Sequence, residues 1–597
     1  MKRVSRHPMR RIVAAGTALV LMVGWFVVRL VDIQVVRAAE LNEASQDVRS
    51  ETETVYGERG RILDANGTVL AEPVMRYHIT ISPKQAMATE SFERTAADGA
   101  DEDVTRDEAL EQLGAALGRT GADIRSEIDE ALAADPKADF AYLAKRVDTE
   151  VYETVKALRI PFVYSKEAPA RRYPNGSVAG NLIGFVTEEG EPGAGLEYSE
   201  NTCLASEDGE RTWLHSLKDW VAIPGTEVVN VQPHDGGDLQ LTIDADLQYY
   251  VQRVAAEQVR ATAADWATVT VMEAKTGRLL AVADVPTVDP NAPSATDEGD
   301  RGSRAFTAPF EPGSTFKALT AASVIDAGEG DAKSRVTADY RYIAPNGADV
   351  NDSFYHGPTN YTMTGMLIDS SNTAMSLFGE KVSDEQRYQD MVDFGLGEPT
   401  EVGFASEAGG DLHGGPDEWD NQTRYATMFG QGLTTTSIQI ASVYQTLANG
   451  GVRMPVTLVD GCLAADGTLT DAPAQEGRRV VSEKAADQTS LMLEQVYREG
   501  WLADQWNIPG YRVAAKTGTA QVPDGQGGYQ AGYLVSVSGF APADDPEFVV
   551  SVSIMNPVKM NSSAASAPVF QQVMSQVLKK YRTVPSGAQA PELPATW

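Results

Sequence analysis

Apolar and polar positions change their rhythm several times along this chain, and each change predicts a different kind of element. The first is an apolar run, residues 12–28, prolonged by Leu30-Val31, Ile33 and Val35-Val36 and preceded by Lys2, Arg3, Arg6, Arg10 and Arg11. Its length predicts a membrane-spanning helix over residues 12–36, with Arg29 able to reach the interface. Cations before the span and the first acid at Asp32 place residues 1–11 in the cytoplasm and everything beyond about residue 37 outside. A cleaved leader is the rival reading. The run is longer than a usual leader core, and Val36-Arg37-Ala38 is a poor cleavage site, so a retained anchor is favoured.

A polar helical stretch, 38–54, follows the anchor. Two short β-type runs then flank Asn66-Gly67 between Arg59 and Leu70, a strong hairpin signal. From about 86 to 158 the chain is rich in Ala, Asp and Glu, with Leu110, Leu113 and Leu117, then Ile124, Ile128 and Leu132, at helical spacing. These predict surface helices of an appended subdomain. Short strands and turns return at Asn175-Gly176, at Ile183-Gly184-Phe185-Val186 and from Gly193 to Glu197.

A second texture begins near Leu239, with a strand over 239–243, a helix over 247–259 and a hairpin from 267–272 and 279–285. Late strands are predicted at 511–520, 533–541 and 548–555. Helical stretches at 316–325, 362–378, 436–448 and 485–497 lie between. Strands at both ends of a helical middle predict an α+β domain, one antiparallel sheet covered by helices. The Pro- and Ala-rich end, 585–597, predicts disorder.

Composition narrows the function. At 597 residues the chain divides into two or three domains. A formal charge of -34 excludes nucleic acid as a partner, because nothing here neutralises a phosphate backbone. There is no His-Glu-x-x-His, the six histidines are scattered, and no metal or cofactor site is expected. Cys203 and Cys462 are the only cysteines. An exported compartment permits a bridge, but nothing in the sequence joins these two, and they are read as unpaired or undetermined.

Three short motifs carry chemistry. Ser314-Thr315-Phe316-Lys317 follows Pro312-Gly313, a sensible helix start, which puts Ser314 in or near a first turn with Lys317 on the same face. Backbone N–H groups at such a turn can stabilise an oxyanion. For Lys317 to serve as base it must be neutral, so burial and a second nearby cation are required. Ser370-Ser371-Asn372 supplies a hydroxyl for proton relay and an amide to hold a substrate amide. Lys516-Thr517-Gly518-Thr519 lies in a strand, where Lys516 adds positive potential and Thr517 and Thr519 can bind a carboxylate. Gly518 within that strand marks a close backbone approach, such as a peptide pairing along an edge.

Taken singly, each motif reads as an N-cap, a helix cap or a turn. Two duplicates act as controls. Ser199-Glu200-Asn201 has no nucleophile near it in sequence, and Lys275-Thr276-Gly277 separates two apolar runs as a hairpin turn should. A Ser-His-Asp hydrolase would want Gly-x-Ser-x-Gly, which is missing. Acyl transfer by serine and lysine remains.

With these residues in order, the chain resembles a class B penicillin-binding protein from the anchor to about residue 580. Arg59-Gly60-Arg61-Ile62-Leu63-Asp64, Arg172-Tyr173-Pro174-Asn175-Gly176, Gly195-Leu196-Glu197, Leu241-Thr242-Ile243-Asp244 and Phe429-Gly430-Gln431-Gly432 resemble further motifs of that family. The resemblance implies a pedestal of the dimerisation type over 37–238, a serine transpeptidase domain over 239–582 and a tail over 583–597. It implies a D,D-transpeptidase that cross-links peptidoglycan stem peptides and is bound by β-lactams. Ser314 resembles the acylated nucleophile and Lys317 its base. Ser370, Asn372 and Lys516 to Thr519 resemble the second and third motifs, with the N–H groups of Ser314 and Thr519 as oxyanion hole. Gly430-Gln431-Gly432 and Pro509-Gly510-Tyr511 look most like septal division enzymes, which implies division proteins and a SEDS-type glycan polymerase as partners. An elongation-type enzyme, a β-lactam sensor and an inactive division scaffold are the alternatives. The acidic segment 86–158 matches no motif.

Overall fold

The computed structural model describes residues 7–95, 99–216, 222–523 and 528–597; Lys2, Arg3 and Arg6 lie outside the described residues. Two compact units are formed. The first contains the chain up to Glu58 together with Ser206–Gly236. Its helix His7–Val31 runs through one π turn, Asp32–Val36, into the helix Ala38–Arg49. Among the described residues, Pro8–Val36 is the one helical stretch long and apolar enough to cross a membrane, and its apolar window is not buried in protein. Arg29 pairs with Asp32 at 2.6 Å and Arg37 meets the same carboxylate at 3.1 Å, so one acid serves both guanidinium groups at this end. The polar helix stops at Arg49, short of the expected residue 54. Ser50–Val55 alternates Glu with Thr and ends on the β-branched pair Thr54-Val55, and it pairs as a strand with Gly209–Leu214, which pairs in turn with Val228–Val231.

The second unit, Arg59–Ala205 with Gly237–Trp597, holds all three motifs. Its centre is a five-stranded antiparallel sheet in the order Leu279–Val285, Trp266–Glu273, Phe548–Met555, Tyr529–Ala541, Ala514–Pro523. Ala245–Thr262 and Ala567–Lys580 pack on one face through Leu247, Val251, Phe570 and Val573. Ser437–Ala448, buried along its whole length, lies on the other. The α+β class expected from the pattern is the class found. Lys275-Thr276-Gly277 is indeed a turn between paired strands, with Gly277 at φ +75°. The stretch 362–378 is not one helix. It breaks into Met363–Asp369 and Asn372–Gly379 because Ser370 adopts φ +57°.

A smaller α+β body accounts for the acidic segment. Val69–Ile81 pairs with Val163–Arg172 over ten residue pairs and with Ala141–Val147. Arg106–Ala116 and Gly121–Ala134, each opened by a capping box (Thr105/Glu108 and Thr120/Asp123), cover that sheet. Leu110, Leu113, Ile124 and Ile128 are buried against Ile79, Ile81 and Phe162, as their spacing requires. The segment therefore has a core of its own, including strands the sequence reading did not see. Ile183-Gly184-Phe185-Val186 is not a strand: Gly180–Ile183 is a helical turn, and Val186 makes a single bridge to Pro192.

The two cysteines and the end of the chain both depart from the sequence expectation. Cys203 and Cys462 are disulfide-bonded, with Cα atoms 5.9 Å apart. Strand Val459–Leu463 pairs with Asp238–Leu241, setting Cys462 opposite Leu239, while Gly237 donates its N–H to the Cys203 carbonyl. Tertiary strand pairing brings the cysteines together across 259 residues, which no local spacing could announce. The end of the chain, expected to be disordered, is docked. Thr362 donates its N–H to the Ala595 carbonyl at 3.0 Å, Gln495 Nε2 donates to the Pro591 carbonyl at 2.9 Å, and Arg335 lies over the Trp597 ring. Its composition offers little to bury, but its carbonyls find donors on strand and helix.

The family-like motifs of residues 59–64 and 195–197 meet in one buried cluster. Glu197, fully buried, accepts from Arg59 Nε at 2.7 Å, Arg171 Nε at 2.6 Å and Tyr173 Oη at 3.3 Å. A carboxylate held by two guanidinium groups in this way is costly to break, since either partner alone is left charged in a dry interior. Replacing Glu197 by Ala is expected to destabilise this unit by about 3–5 kcal/mol. A melting temperature unchanged from wild type would remove the cluster from any structural role.

Candidate active site

Ser314 is set by its backbone neighbours. Phe310 exchanges both backbone hydrogen bonds with Thr435, at 2.9 Å each, and the Gly313 N–H donates to the Gly430 carbonyl at 2.9 Å. The 3-10 turn Gly313–Phe316 then leads directly into the helix Lys317–Asp326. Thr315 Oγ1 donates to the Pro312 carbonyl at 2.8 Å, and Tyr444 Oη donates to the Thr315 carbonyl at 2.9 Å. Ser314 is thus half-buried in the first turn, as the sequence reading places it, and its hydroxyl makes no hydrogen bond with another described residue.

The edge strand Ala514–Pro523 packs against this turn. A Cβ on Gly518 would lie 2.4 Å from Ser536 Oγ and 3.1 Å from the Pro312 carbonyl oxygen. The close approach that the glycine signals is therefore to the turn bearing Ser314 and to the neighbouring strand, so a substrate is not needed to explain it. Gly430 serves the same junction at φ +78°, where a Cβ would meet the Gly313 carbonyl oxygen at 2.3 Å. Residues alternate along the edge strand. Lys516 and Gly518 point inward, while Thr517 is half-buried and Thr519 exposed. Thr519 Oγ1 lies 3.3 Å from Ser563 Oγ, and Ser563 itself donates to the Gly518 carbonyl at 2.8 Å.

Ser370 joins the two lysines. Lys317 Nζ donates to the Ser370 carbonyl at 2.5 Å and to Ser370 Oγ at 3.3 Å, and Lys516 Nζ reaches the same Oγ at 3.0 Å. The left-handed backbone of Ser370 turns both its carbonyl and its hydroxyl towards the amines. Lys317 and Lys516 are both wholly buried, and neither forms an ion pair with a described residue. Burial first, and then the charge of Lys516, push the Lys317 amine well below the usual lysine range, while the Asp352 carboxylate pulls in the opposite direction. Burial alone brings Lys516 down to about 7. Lys317 is thus buried beside a second amine, the setting that the sequence analysis requires of a lysine base. Asn372 sits at the start of its helix and donates Nδ2 to the Asn351 carbonyl at 3.0 Å.

The sequence reading missed Asp352, which lies nearly inaccessible behind the second motif. Its carboxylate accepts from the N–H groups of Asn372 at 2.5 Å and Thr373 at 3.0 Å and from Ser371 Oγ at 2.7 Å. Ser563 was missed as well. Both are single residues in segments without periodicity, and only the fold shows what they touch. Glu311, three residues before Ser314, is buried; burial raises its carboxyl above the usual range, against the bonds it accepts from the Gly432 N–H at 3.0 Å and Tyr529 Oη at 3.4 Å.

A hydroxyl in the first turn of a helix, a desolvated amine one turn on and a second hydroxyl bridging to a second amine suit acyl transfer. Comparison with known proteins agrees. Residues 267–575 match the penicillin binding protein transpeptidase domain family, and residues 54–210 match the penicillin-binding protein dimerisation domain family. Penicillin-binding protein PbpB of Mycolicibacterium smegmatis is 32% identical over 590 residues, covering 95% of this chain and 89% of that protein. Peptidoglycan D,D-transpeptidase FtsI of Escherichia coli K12 is 31% identical over 455 residues, 76% of this chain and 74% of that protein. Among solved structures, a peptidoglycan synthetase from Bifidobacterium adolescentis superposes with a TM-score of 0.70 at 28% identity, covering 92% of this chain and 100% of the other. Penicillin binding protein 3 of Mycobacterium tuberculosis in complex with aztreonam gives 0.65 at 26% identity, covering 91% and 100%. The serine–lysine site and these matches over most of its length show that the chain belongs to the penicillin-binding protein family, with a transpeptidase domain and a dimerisation domain.

Proposed function

We propose that this protein is a peptidoglycan D,D-transpeptidase of the septal class B type that works through a serine acyl-enzyme and is acylated by β-lactams. The observation that carries the reading is the Ser370 hydroxyl held between two buried lysines, beside the turn that bears Ser314. Likeness to PbpB and FtsI supports the septal role over the elongation-type one.

In this reading Ser314 Oγ attacks the penultimate D-Ala carbonyl of a donor stem peptide. Its proton passes to neutral Lys317, the N–H groups of Ser314 and Thr519 stabilise the oxyanion, and the amide bond to the terminal D-Ala breaks. Ser370 relays the proton to the departing amine. Asn372 holds a substrate amide, and Lys516, Thr517 and Thr519 receive the terminal carboxylate, with Gly518 letting the strand close on the nucleophile turn. An amine of a second stem then attacks the ester, forming the cross-link and returning a proton to Ser314.

The proposed organisation is a cytoplasmic N-terminus to residue 11, an anchor over 12–36, a pedestal over 37–238 and a transpeptidase domain over 239–582, the last two outside the cell membrane. A SEDS-type polymerase and other division proteins are the proposed partners. The disulfide supports an exported location.

A fluorescent penicillin is expected to label the full-length protein covalently and to leave Ser314→Ala unlabelled. Labelling of that variant would end the nucleophile assignment. Lys317→Ala should acylate roughly 10²–10⁴ times more slowly, and an unchanged rate would mean another base.

The acylation rate should climb with pH to a plateau, because only the neutral amine of Lys317 works, with a midpoint well below an ordinary lysine's. Lys516→Gln removes a nearby positive charge, which makes protonated Lys317 easier to keep, so that rise should move to higher pH. Stopped-flow acylation across pH measures it, and a shift to lower pH contradicts the assignment. Depletion in the native cell should give filaments; rounded cells would favour the elongation-type reading.

A further inference from the structure

His356 is the histidine nearest the motifs, and the mechanism above does not use it. Its two ring nitrogens both face acceptors. Nε2 lies 2.8 Å from Asp352 Oδ2, and Nδ1 lies 2.7 Å from the Gly357 carbonyl oxygen, with Thr359 Oγ1 at 3.4 Å. A neutral imidazole has one donor and can satisfy only one of these, whereas an imidazolium satisfies both. The ring side chain is 12% exposed and packs near the rings of Phe354 and Tyr361. Burial opposes its charge, yet the bonds to Asp352 and Gly357 and the charges of Asp352 and Asp339 outweigh that and raise its pKa.

Asp352 is the other half of the pair. One carboxylate oxygen takes the N–H groups of Asn372 and Thr373, and the second takes Ser371 Oγ, Thr373 Oγ1 and His356. It therefore fixes the backbone immediately after Ser370, whose carbonyl and hydroxyl receive the lysines. Its negative charge is also felt at Lys317 and favours the ammonium, the form that cannot act as a base. The charged and titratable groups that act on the pair or feel it are Asp339, Tyr361 with its own partner Asp369, and Lys317 with Lys516 beside it.

We propose that Asp352 and His356 are a pair of positioning residues in which Asp352 fixes the Ser370–Asn372 loop and the His356 cation cancels its charge, so that the loop is anchored without Lys317 being held protonated. An uncharged anchor would grip the two N–H groups less firmly, and an uncompensated carboxylate would stabilise the wrong state of the base. The pair resolves this conflict. The inference rests on the reading of Lys317 as the base of acylation.

The test is acylation of the full-length, detergent-solubilised protein by a fluorescent penicillin across pH, in wild type, His356→Gln and Asp352→Asn. Removing the cation leaves the Asp352 charge uncompensated and raises the affinity of Lys317 for its proton, so His356→Gln should move the acid limb to higher pH. Removing the anion does the reverse. Asp352→Asn should move the limb to lower pH while lowering the plateau, because the loop loses its anchor. A purely structural role would depress the rate alike at all pH values and leave the midpoint in place. A limb that stays put in His356→Gln, or two variants that shift it in the same direction, overturns the proposal. Should Asp352→Asn not fold, the His356→Gln shift alone decides. A wild-type profile with no acid limb would instead overturn Lys317 as base, and this inference with it.

Discussion

Two lysine amines converge on one serine hydroxyl in the interior of this protein, and much of the catalytic unit can be understood as the means of keeping them there. Their bonds to Ser370 Oγ, 3.3 and 3.0 Å, cap their separation at about 6 Å. Two full positive charges at that distance repel one another appreciably even at the effective dielectric of a protein interior. Desolvation adds to this, since both side chains are buried. The pair therefore resists carrying two protons at once, which favours one neutral amine beside one cation. Such a site persists only when its surroundings are rigid. The helix after Ser314 carries one amine, the edge strand carries the other, and the strained turn at Ser370 presents the hydroxyl to both.

That rigidity comes from backbone contacts at close range. Gly518 and Gly430 lack side chains where the edge strand, the Ser314 turn and the loop before the helix Ser437–Ala448 meet, so the three segments lock carbonyl against Cα. Asp352 does the equivalent work for the second motif, replacing the missing partners of two helix N–H groups. Away from the site, the Arg59–Glu197–Arg171 cluster and the Cys203–Cys462 bridge tie distant stretches of chain together within the same unit. Each device joins residues far apart in sequence, and each is local in space.

The amino-acid sequence displays only those features that are local along the chain. The three motifs, the hairpin at Lys275-Thr276-Gly277 and the helix faces of Leu110–Leu113 and Ile124–Ile128 are written in adjacent residues or in a simple period, and they were legible. The family resemblance extended that reading to the pedestal motifs. Asp352, Ser563 and the disulfide depend on tertiary pairing and leave no periodic trace. The tail misled for a different reason: low hydrophobicity predicts little burial, but Pro591 to Ala595 docks mainly through carbonyl oxygens, which every sequence possesses. The break at Ser370 was hidden too, because apolar residues continue on both sides of it.

The charge of the whole molecule has little say in how the site meets its substrate. A formal charge of -34 spread over 597 residues is screened beyond about 8 Å at physiological ionic strength, so a carboxylate that reaches the cleft responds chiefly to the groups it touches. On the proposed reading that carboxylate is the end of the donor peptide, and it arrives beside Lys516. With Lys516 brought to about 7 by burial, its proton is easily gained or lost in the empty site. An arriving anion favours the protonated form there, and a protonated Lys516 in turn disfavours a second proton on Lys317. Binding thus selects the one arrangement of protons that can react, with the cation at the carboxylate and the free base at Ser314. The Asp352 charge works against that selection unless something offsets it, which is why a cation behind the second motif matters to a reaction it never touches.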